Sequence, residues 1–362
     1  MKKYWIITFG CQMNKNDSER IASILEGIRY KPALKIKEAD LIVVNACSVR
    51  QTAIDRIHGM NPGFKTLKRK NKNLKLIITG CILEPDKKKF EEAGFDFILN
   101  IKDLSKWPRL LKIKNLEKGV KDYLKICPKY SDKKIFHIPV SNGCDNFCTY
   151  CAVPYTRGRL ICRSHKDILN EVKNIVKNNS KEIWLLGQNV NDYLSPVNKK
   201  INFAKLLKLA DGIPGNFKIR FTSPNPKNFS DELIEVMAKY KKIYHSLNLP
   251  MQSGDNKTLK AMNRTYTAQQ YRALIKKIKK AIPDIRLSTD IIVGFPGETK
   301  SQFENTLKLF KEIDFDMAYI ARFSPRPGTP AAKMKDNVPH KEKERRWNKI
   351  NNVLLKKWGR RS

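Results

Sequence analysis

The chain has 362 residues, with 72 Lys and Arg against 35 Asp and Glu, a formal net charge of +37. Its length fits two domains better than one, and a hydrophobic fraction of 41% is enough for real cores. So large a positive excess points to a polyanionic partner, nucleic acid first. It excludes a membrane-embedded chain, because no apolar run approaches the roughly 20 residues of a bilayer span. The apolar start Tyr4–Phe9 is too short for a secretion leader. These features predict a cytoplasmic protein with no membrane partner. In that reducing compartment the eight cysteines indicate metal ligation or catalysis rather than disulfides.

In chain order, Tyr4–Phe9 is strand-like and Asp17 to about Arg29 helical, with Asp17 or Ser18 as the expected N-cap and Ile21, Leu25 and Ile28 as an apolar stripe. Leu41–Asn45 reads as a buried strand, a helical region starts near Thr52, Leu76–Thr79 is a third strand, and Phe95–Leu99 a fourth. Short apolar strands alternating with helices predict an open parallel sheet of the Rossmann or flavodoxin kind over residues 1–115. Each of the first three strands runs into a cysteine: ITFGC at Cys11, VVNAC at Cys47 and IITGC at Cys81. The separations are 36 and 34 residues, about one βα unit each. Loops past the carboxyl ends of parallel strands line the ligand crevice of such a sheet, so the three cysteines are expected to converge.

Residues 116–134 are polar and Lys-rich and read as a linker. The second domain, 135–338, alternates again, with strands expected at Phe136–Val140, Ile183–Leu186, Lys218–Thr222, His245–Leu249, Leu287–Val293 and Met317–Phe323. Helices are expected at Lys166–Lys177, Phe203–Ala210, Asp231–Tyr240, Ala268–Ile282 and Lys300–Ile313. Six βα units predict a partial (β/α)6 barrel. The segments after its strands (Gly187-Gln188-Asn189, Ser223-Pro224-Asn225, Met251-Gln252-Ser253 and Gly294-Phe295-Pro296-Gly297-Glu298 among them) would form one polar face, the face where barrel enzymes build their sites. Residues 339–362 form a basic amphipathic helix pattern.

The sharpest signal is Cys144-Asp145-Asn146-Phe147-Cys148-Thr149-Tyr150-Cys151, a Cys-x3-Cys-x2-Cys loop just after the first barrel strand. Three thiolates in one tight loop can hold three irons of a cubane and leave the fourth iron open, as a catalytic zinc keeps an open position. Structural zinc, which pairs Cys-x2-Cys with a second distant pair, fits this spacing poorly. No Gly-x4-Gly-Lys-Ser/Thr loop is present, so nucleoside triphosphate hydrolysis has no support.

This loop resembles the signature of the radical S-adenosylmethionine (SAM) superfamily. The match extends further: Gly10-Cys11-Gln12-Met13-Asn14, Asn45-Ala46-Cys47-Ser48-Val49-Arg50 and Thr79-Gly80-Cys81 resemble the N-terminal domain of its methylthiotransferases. Leu186–Asn191, Arg220–Pro224, Gly294–Thr299 and Ser324–Pro330 resemble the branch acting on isopentenylated tRNA. The resemblance implies that Cys144, Cys148 and Cys151 hold a [4Fe-4S] cluster whose open iron chelates SAM, and that Cys11, Cys47 and Cys81 hold an auxiliary [4Fe-4S] cluster carrying the transferable sulfur. It implies methylthiolation at C2 of N6-(dimethylallyl)adenosine at position 37 of tRNA, with one SAM methylating sulfur and a second yielding a 5′-deoxyadenosyl radical. Gln188, Asn189, Gln252, Ser253 and Gly294 are candidates for holding SAM or the base. An electron donor such as flavodoxin or ferredoxin, and a monomeric chain, are also expected.

Two departures accompany the match. Family members usually carry a small C-terminal RNA-binding barrel, the TRAM domain, whose absence is expected here. Arg157-Gly158-Arg159-Leu160-Ile161-Cys162-Arg163 is less polar than the family's corresponding stretch. Cys162 is a candidate fourth ligand, though an idle thiol suits it better, and Cys127 reads as a bystander. The rival activities are methylthiolation of threonylcarbamoyladenosine in tRNA or of a ribosomal protein. A rival of another class is a non-catalytic basic RNA-binding protein with structural zinc.

Overall fold

The first strands form because β-branched residues repeat over short runs whose two faces are both covered. In the strand Leu41–Cys47 every residue is buried. Leu41 and Val43 enter one core with Tyr4, Ile21, Leu25, Ile77 and Trp107. Ile42 and Val44 enter another with Ile54, Ile57, Phe64, Ile78 and Phe90. That pattern belongs to a parallel sheet with helices on both sides.

The computed structural model describes residues 1–49, 51–111, 122–177 and 180–358. Arg50, the junction of expected domain and linker at 112–121, and the last tail residues 359–362 lie outside the described residues. The chain forms two compact units, Met1–Pro139 with Ala152–Gly158, and Val140–Cys151 with the chain from Arg159 on.

In the first unit the strands are β1 (Lys3–Thr8), β2 (Lys31–Pro32), β3 (Leu41–Cys47), β4 (Lys75–Cys81) and β5 (Phe97–Ile98), separated by helices α1 (Gln12–Gly27), α2 (Gln51–Gly59), α3 (Asn61–Lys70) and α4 (Glu84–Glu92). All pair in parallel, in the order β2-β1-β3-β4-β5. This is the flavodoxin-like order, whose strand sequence reverses between β1 and β3. The expected open sheet is therefore present. The edge strand β2 escaped the sequence reading: it is two residues long, and its Pro32 suits an edge. The helix start was also misplaced. α1 begins five residues before Asp17, with Cys11 as N-cap, because the chain turns at Gly10 directly after β1. The backbone N–H of Cys11 donates to Asn14 Oδ1 at 3.4 Å. Asp17 is instead fully buried within the helix.

In the second unit the strands β6 (Glu182–Leu186), β7 (Lys218–Phe221), β8 (Ser246–Asn248), β9 (Arg286–Val293) and β10 (Met317–Arg322) follow in chain order. β6 pairs in parallel with β7, and β9 with both β8 and β10. A parallel bridge between Ile219 and Ile243 links the two groups. The helices His165–Lys177, Phe203–Asp211, Asp231–Lys239, Ala268–Ala281 and Lys300–Ile313 alternate with these strands. These are five of the six strands of the partial barrel expected from the sequence, and the first expected strand is present at Ile135–Pro139. Along β9, Leu287, Thr289, Ile291 and Val293 are buried while Ser288, Asp290 and Ile292 are half-buried on the opposite face. There Asn248 Nδ2 donates to Asp290 Oδ2 at 2.8 Å and Ser288 Oγ to Asn248 Oδ1 at 3.0 Å. A short helix, Asn256–Ala261, capped by Asp255, and a two-residue hairpin of Ser141–Asn142 with Ile161–Cys162 were not anticipated.

The final helix, His340–Trp358, lays Lys343, Arg346, Ile350 and Leu354 inward. Its Arg346 Nη1 donates to the buried Glu298 carboxylate at 2.6 Å and to the Glu298 carbonyl at 3.0 Å. Burial nevertheless pushes the Glu298 carboxyl above its usual range, with the Gly294 N–H and Arg346 holding it back. Arg346→Met leaves this acid buried without its cation, at an expected loss of about 3–5 kcal/mol at neutral pH. The raised carboxyl sets the sign of the pH dependence. As pH falls through its folded pKa it takes up a proton, a neutral acid costs less to bury, and part of the loss is recovered. Urea unfolding of both proteins at neutral and acidic pH checks this.

Candidate metal centres

In the first unit the site grows from strand register. Cys47 and Cys81 are direct Cα partners at the carboxyl ends of the adjacent strands β3 and β4. Both are buried, whereas Cys11 is exposed at the start of α1. Asn14, one turn into that helix, holds the strand ends together: its Nδ2 donates to Asn45 Oδ1 at 3.0 Å and to Ala46 O at 3.1 Å, and its Oδ1 accepts from Cys11 Sγ at 3.4 Å. Asn45 returns a bond to the Asn14 carbonyl at 2.8 Å. The site thus lies at the topological switch point between β1 and β3, where doubly wound sheets bind ligands.

A cation completes it. Arg157, from the segment Ala152–Gly158, donates through Nε to Cys81 Sγ at 3.0 Å and through Nη2 to Asp17 Oδ2 at 2.7 Å. Arg157 and Asp17 are 2% and 0% exposed in their side chains, so this is a fully buried ion pair. Burial pushes the Cys81 thiol up to about 12, against the pull of Arg157, and Cys47 and Cys11 add to the rise. The three sulfurs are therefore near enough to feel one another's charge. A crowded buried thiol such as that of Cys81 is costly to ionise alone and is deprotonated when a metal binds it.

In the second unit the loop Gly143–Cys151 is fastened at several points. Gly143 N–H donates to Gln188 Oε1 at 2.5 Å. Asn263, in a left-handed conformation (φ 54°), donates to the carbonyls of Asn146 and Phe147 at 3.1 and 3.0 Å. Thr149 N–H donates to Met262 O at 3.1 Å, and Cys151 N–H to Cys148 O at 2.9 Å. Two donors reach sulfur: Asn146 Nδ2 to Cys144 Sγ at 3.3 Å and Arg264 Nη1 to Cys148 Sγ at 3.4 Å. Arg264 lies over the Tyr266 ring at 5.0 Å, and its Nη2 is buried with no hydrogen-bond partner. Burial raises the Cys144 thiol, and the Asn146 donors oppose it.

Among the described residues, no three Cys, His, Asp or Glu side chains converge as ligands of a single ion. Thiolates of a cubane bind separate irons and need not meet at one point. Two clusters of soft thiol donors, each with an arginine bonded to one sulfur, fit iron–sulfur chemistry. Cys162 lies in the short hairpin as the partner of Ser141, and Cys127 is exposed in the segment before Ile135.

The expected cofactor contacts divide. Asn189 donates to Asp192, while its Oδ1 is buried without a partner. Gln252 has φ 62°, is bonded by its backbone to β9 on both sides, and also leaves a buried side-chain oxygen without a partner. These two oxygens are acceptors in want of a donor. Gln188 is committed to Gly143. Ser253 is fully buried, its Oγ 3.1 Å from Thr306 Oγ1 and 3.2 Å from Asp255 N. Gly294 N–H binds Glu298 at 2.7 Å, and a Cβ there would meet Lys343 Cγ at 2.3 Å. Sequence reasoning missed Arg157, Asp17, Asn263 and Arg264 as site residues. Burial marks Arg157 and Asp17, and a lone Arg or Asp does not announce it in sequence, while Asn263 is exposed and acts through a left-handed turn.

The family described as the radical SAM superfamily matches residues 138–310, and the uncharacterized protein family UPF0004 matches residues 3–100. In fold the chain is similar to TsrM, a radical S-adenosylmethionine methyltransferase from Kitasatospora setae, with a TM-score of 0.63 and 13% identity over 91% of this chain and 77% of that one. It is likewise similar to the cobalamin-dependent S-adenosylmethionine radical enzyme OxsB, with a TM-score of 0.60 and 13% identity over 99% of this chain and 56% of that one. Fold, cysteine loop and sequence match together make this a radical SAM protein. Relatives matched over most of their length narrow the class. The tRNA-2-methylthio-N(6)-dimethylallyladenosine synthase of Clostridium novyi is 42% identical over 98% of this chain and 82% of its own length. That of Carboxydothermus hydrogenoformans is 43% identical over 95% and 81%. The chain belongs to the family of tRNA-2-methylthio-N(6)-dimethylallyladenosine synthases.

Backbone crowding at the first site gives a test. Gly80 has φ 100°, and a Cβ on it would come 2.4 Å from Ala46 O. Gly94 has φ 89° with nothing within 4 Å. Gly94→Ala is expected to cost about 1–2 kcal/mol, the price of the left-handed backbone alone. Gly80→Ala must also push β3 from β4 and is expected to exceed about 3 kcal/mol. Urea unfolding of the two variants compares them.

Proposed function

We propose that this chain methylthiolates C2 of N6-(dimethylallyl)adenosine at position 37 of tRNA, giving the 2-methylthio derivative. The observation that carries the reading is the pair of cysteine trios, one in each unit, in a chain 42% identical to such a synthase over 98% of its length. Cys144, Cys148 and Cys151 would hold one [4Fe-4S] cluster with an iron open for SAM, and Cys11, Cys47 and Cys81 the auxiliary cluster. When bound, these clusters and SAM supply one-electron chemistry, the methyl group and the sulfur for a C–H bond that has no usable acidity.

The protein's own part is positioning. Asn263 and Gln188 fix the loop Gly143–Cys151, and Arg264 and Asn146 direct N–H groups at its sulfurs. The partnerless oxygens of Asn189 and Gln252 would accept from SAM or from the base. Ser253 and Gly294 would shape the same strand-end face through their backbones. The target base lies in a single-stranded loop, where it can be splayed into a pocket without breaking a duplex. The excess of Lys and Arg would follow the anticodon stem-loop phosphates. We assign residues 1–115 to the auxiliary-cluster domain, 135–338 to the radical SAM core and 339–362 to the basic terminal helix. No helix among the described residues is long and apolar enough to cross a membrane. A cytoplasmic monomer served by flavodoxin or ferredoxin completes the reading.

The test is anaerobic reconstitution followed by assay on an isopentenylated anticodon stem-loop. The intact chain should bind about eight irons, four per cubane, and yield the methylthio nucleoside by mass spectrometry. Cys148→Ala should keep about four irons while losing SAM cleavage and product. A colourless protein with stoichiometric zinc, or SAM cleavage that survives Cys148→Ala, rejects the reading.

A further inference from the structure

Arg157 follows Cys151 by only six residues in sequence, yet its segment belongs to the first unit. Within that unit its guanidinium is wholly buried. One arm bonds the sulfur of Cys81 at 3.0 Å and the other the carboxylate of Asp17 at 2.7 Å. Asp17 Oδ1 is buried without a hydrogen-bond partner. The hydroxyl of Tyr123, within electrostatic reach of both Asp17 and Arg157, is buried without one as well. A charge pair held this deep is costly unless its geometry is good. The plain surroundings of a structural pair would be carboxylate and guanidinium alone. Here a thiol takes one of the fork's arms.

We propose that Arg157 is a positioning residue that tunes the auxiliary centre, raising its reduction potential through the bond to Cys81, with Asp17 setting how much of the positive charge the centre feels. This rests on the reading of Cys11, Cys47 and Cys81 as cluster ligands. Hydrogen bonds to ligating sulfur and nearby net charge set the potential of a thiolate-held cluster. A donor on Cys81 draws electron density from the sulfur and favours the reduced, more negative centre. Asp17 works in the opposite sense by neutralising part of the guanidinium. The pair therefore carries two levers of opposite sign on one sulfur.

The experiment uses the full chain carrying Cys144→Ala, Cys148→Ala and Cys151→Ala, reconstituted anaerobically with iron and sulfide so that only the auxiliary site is loaded. Its midpoint potential is read by electron paramagnetic resonance at poised potentials. Arg157→Met should lower the reduced-to-oxidised ratio at fixed potential about tenfold, which for one electron is about 59 mV, and Arg157→Lys should lower it less. Asp17→Asn, which keeps the shape and removes the charge, should raise it. Shifts of opposite sign support the proposal. Unchanged potentials in both variants, or shifts of the same sign, overturn it. Where Arg157→Met loads no iron, Asp17→Asn decides alone: a rise supports the proposal, and its absence overturns it. A parent chain that loads no iron at all sinks the ligand assignment itself, and this inference with it.

Discussion

Parallel strands end on one side of a sheet, and both units exploit that constraint. A residue placed just beyond the carboxyl end of each strand is delivered to a common edge whatever its distance in sequence. In the first unit this brings Cys47 beside Cys81 as register partners and sets Cys11 at the switch point between β1 and β3. In the second unit the same rule gathers Gln188, Asn189, Gln252 and Gly294 past the ends of β6, β8 and β9. Without the ladder between β3 and β4, the two buried thiols would have no reason to share a site.

Thiols gathered this way bring an electrostatic difficulty, and the chain answers it twice in a similar manner. Each trio has an arginine bonded to one sulfur, Arg157 on Cys81 and Arg264 on Cys148. The surroundings differ. Arg157 is balanced by a carboxylate, while Arg264 rests on a phenol ring and hydroxyl. Arg157 is therefore largely neutralised, whereas Arg264 makes no ion pair among the described residues. Asparagines do the remaining work: Asn14 and Asn45 interlock across α1 and β3, and Asn263 holds the loop of the second trio from outside.

Much of this was legible in the residues. Alternating strands and helices gave the open sheet and partial barrel to within a residue or two in most elements, because apolar runs such as Leu41–Val44 and Leu287–Val293 have little freedom in how they bury. The cysteines declared themselves by recurring at strand ends and by tight spacing. What stayed hidden depended on partners distant in sequence. Asp17 looked like a helix cap because acidic residues favour that place, yet its partner is 140 positions away. Ser253 and Gly294 are also bonded within their own turns, which their sequence surroundings did not show. The stretch around Arg157 drew notice for the polar residues it lacks, whereas its contribution is the arginine it retains.

The basic terminal helix changes meaning once its contacts are known. Its Lys343, Arg346 and Lys349 pair with Asp336, Glu298 and Glu304, and its Trp347 Nε1 donates to Ile320 O at 3.0 Å. Lys343 and Arg346 are buried and add little to what a polyanion would meet, whereas the Lys349–Glu304 pair stands at the surface. The helix also acts as a latch. Sliding it by one turn, about 5.4 Å, would strand Glu298 in the interior and free the Gly294 turn, so helix and turn must shift as one piece or not at all.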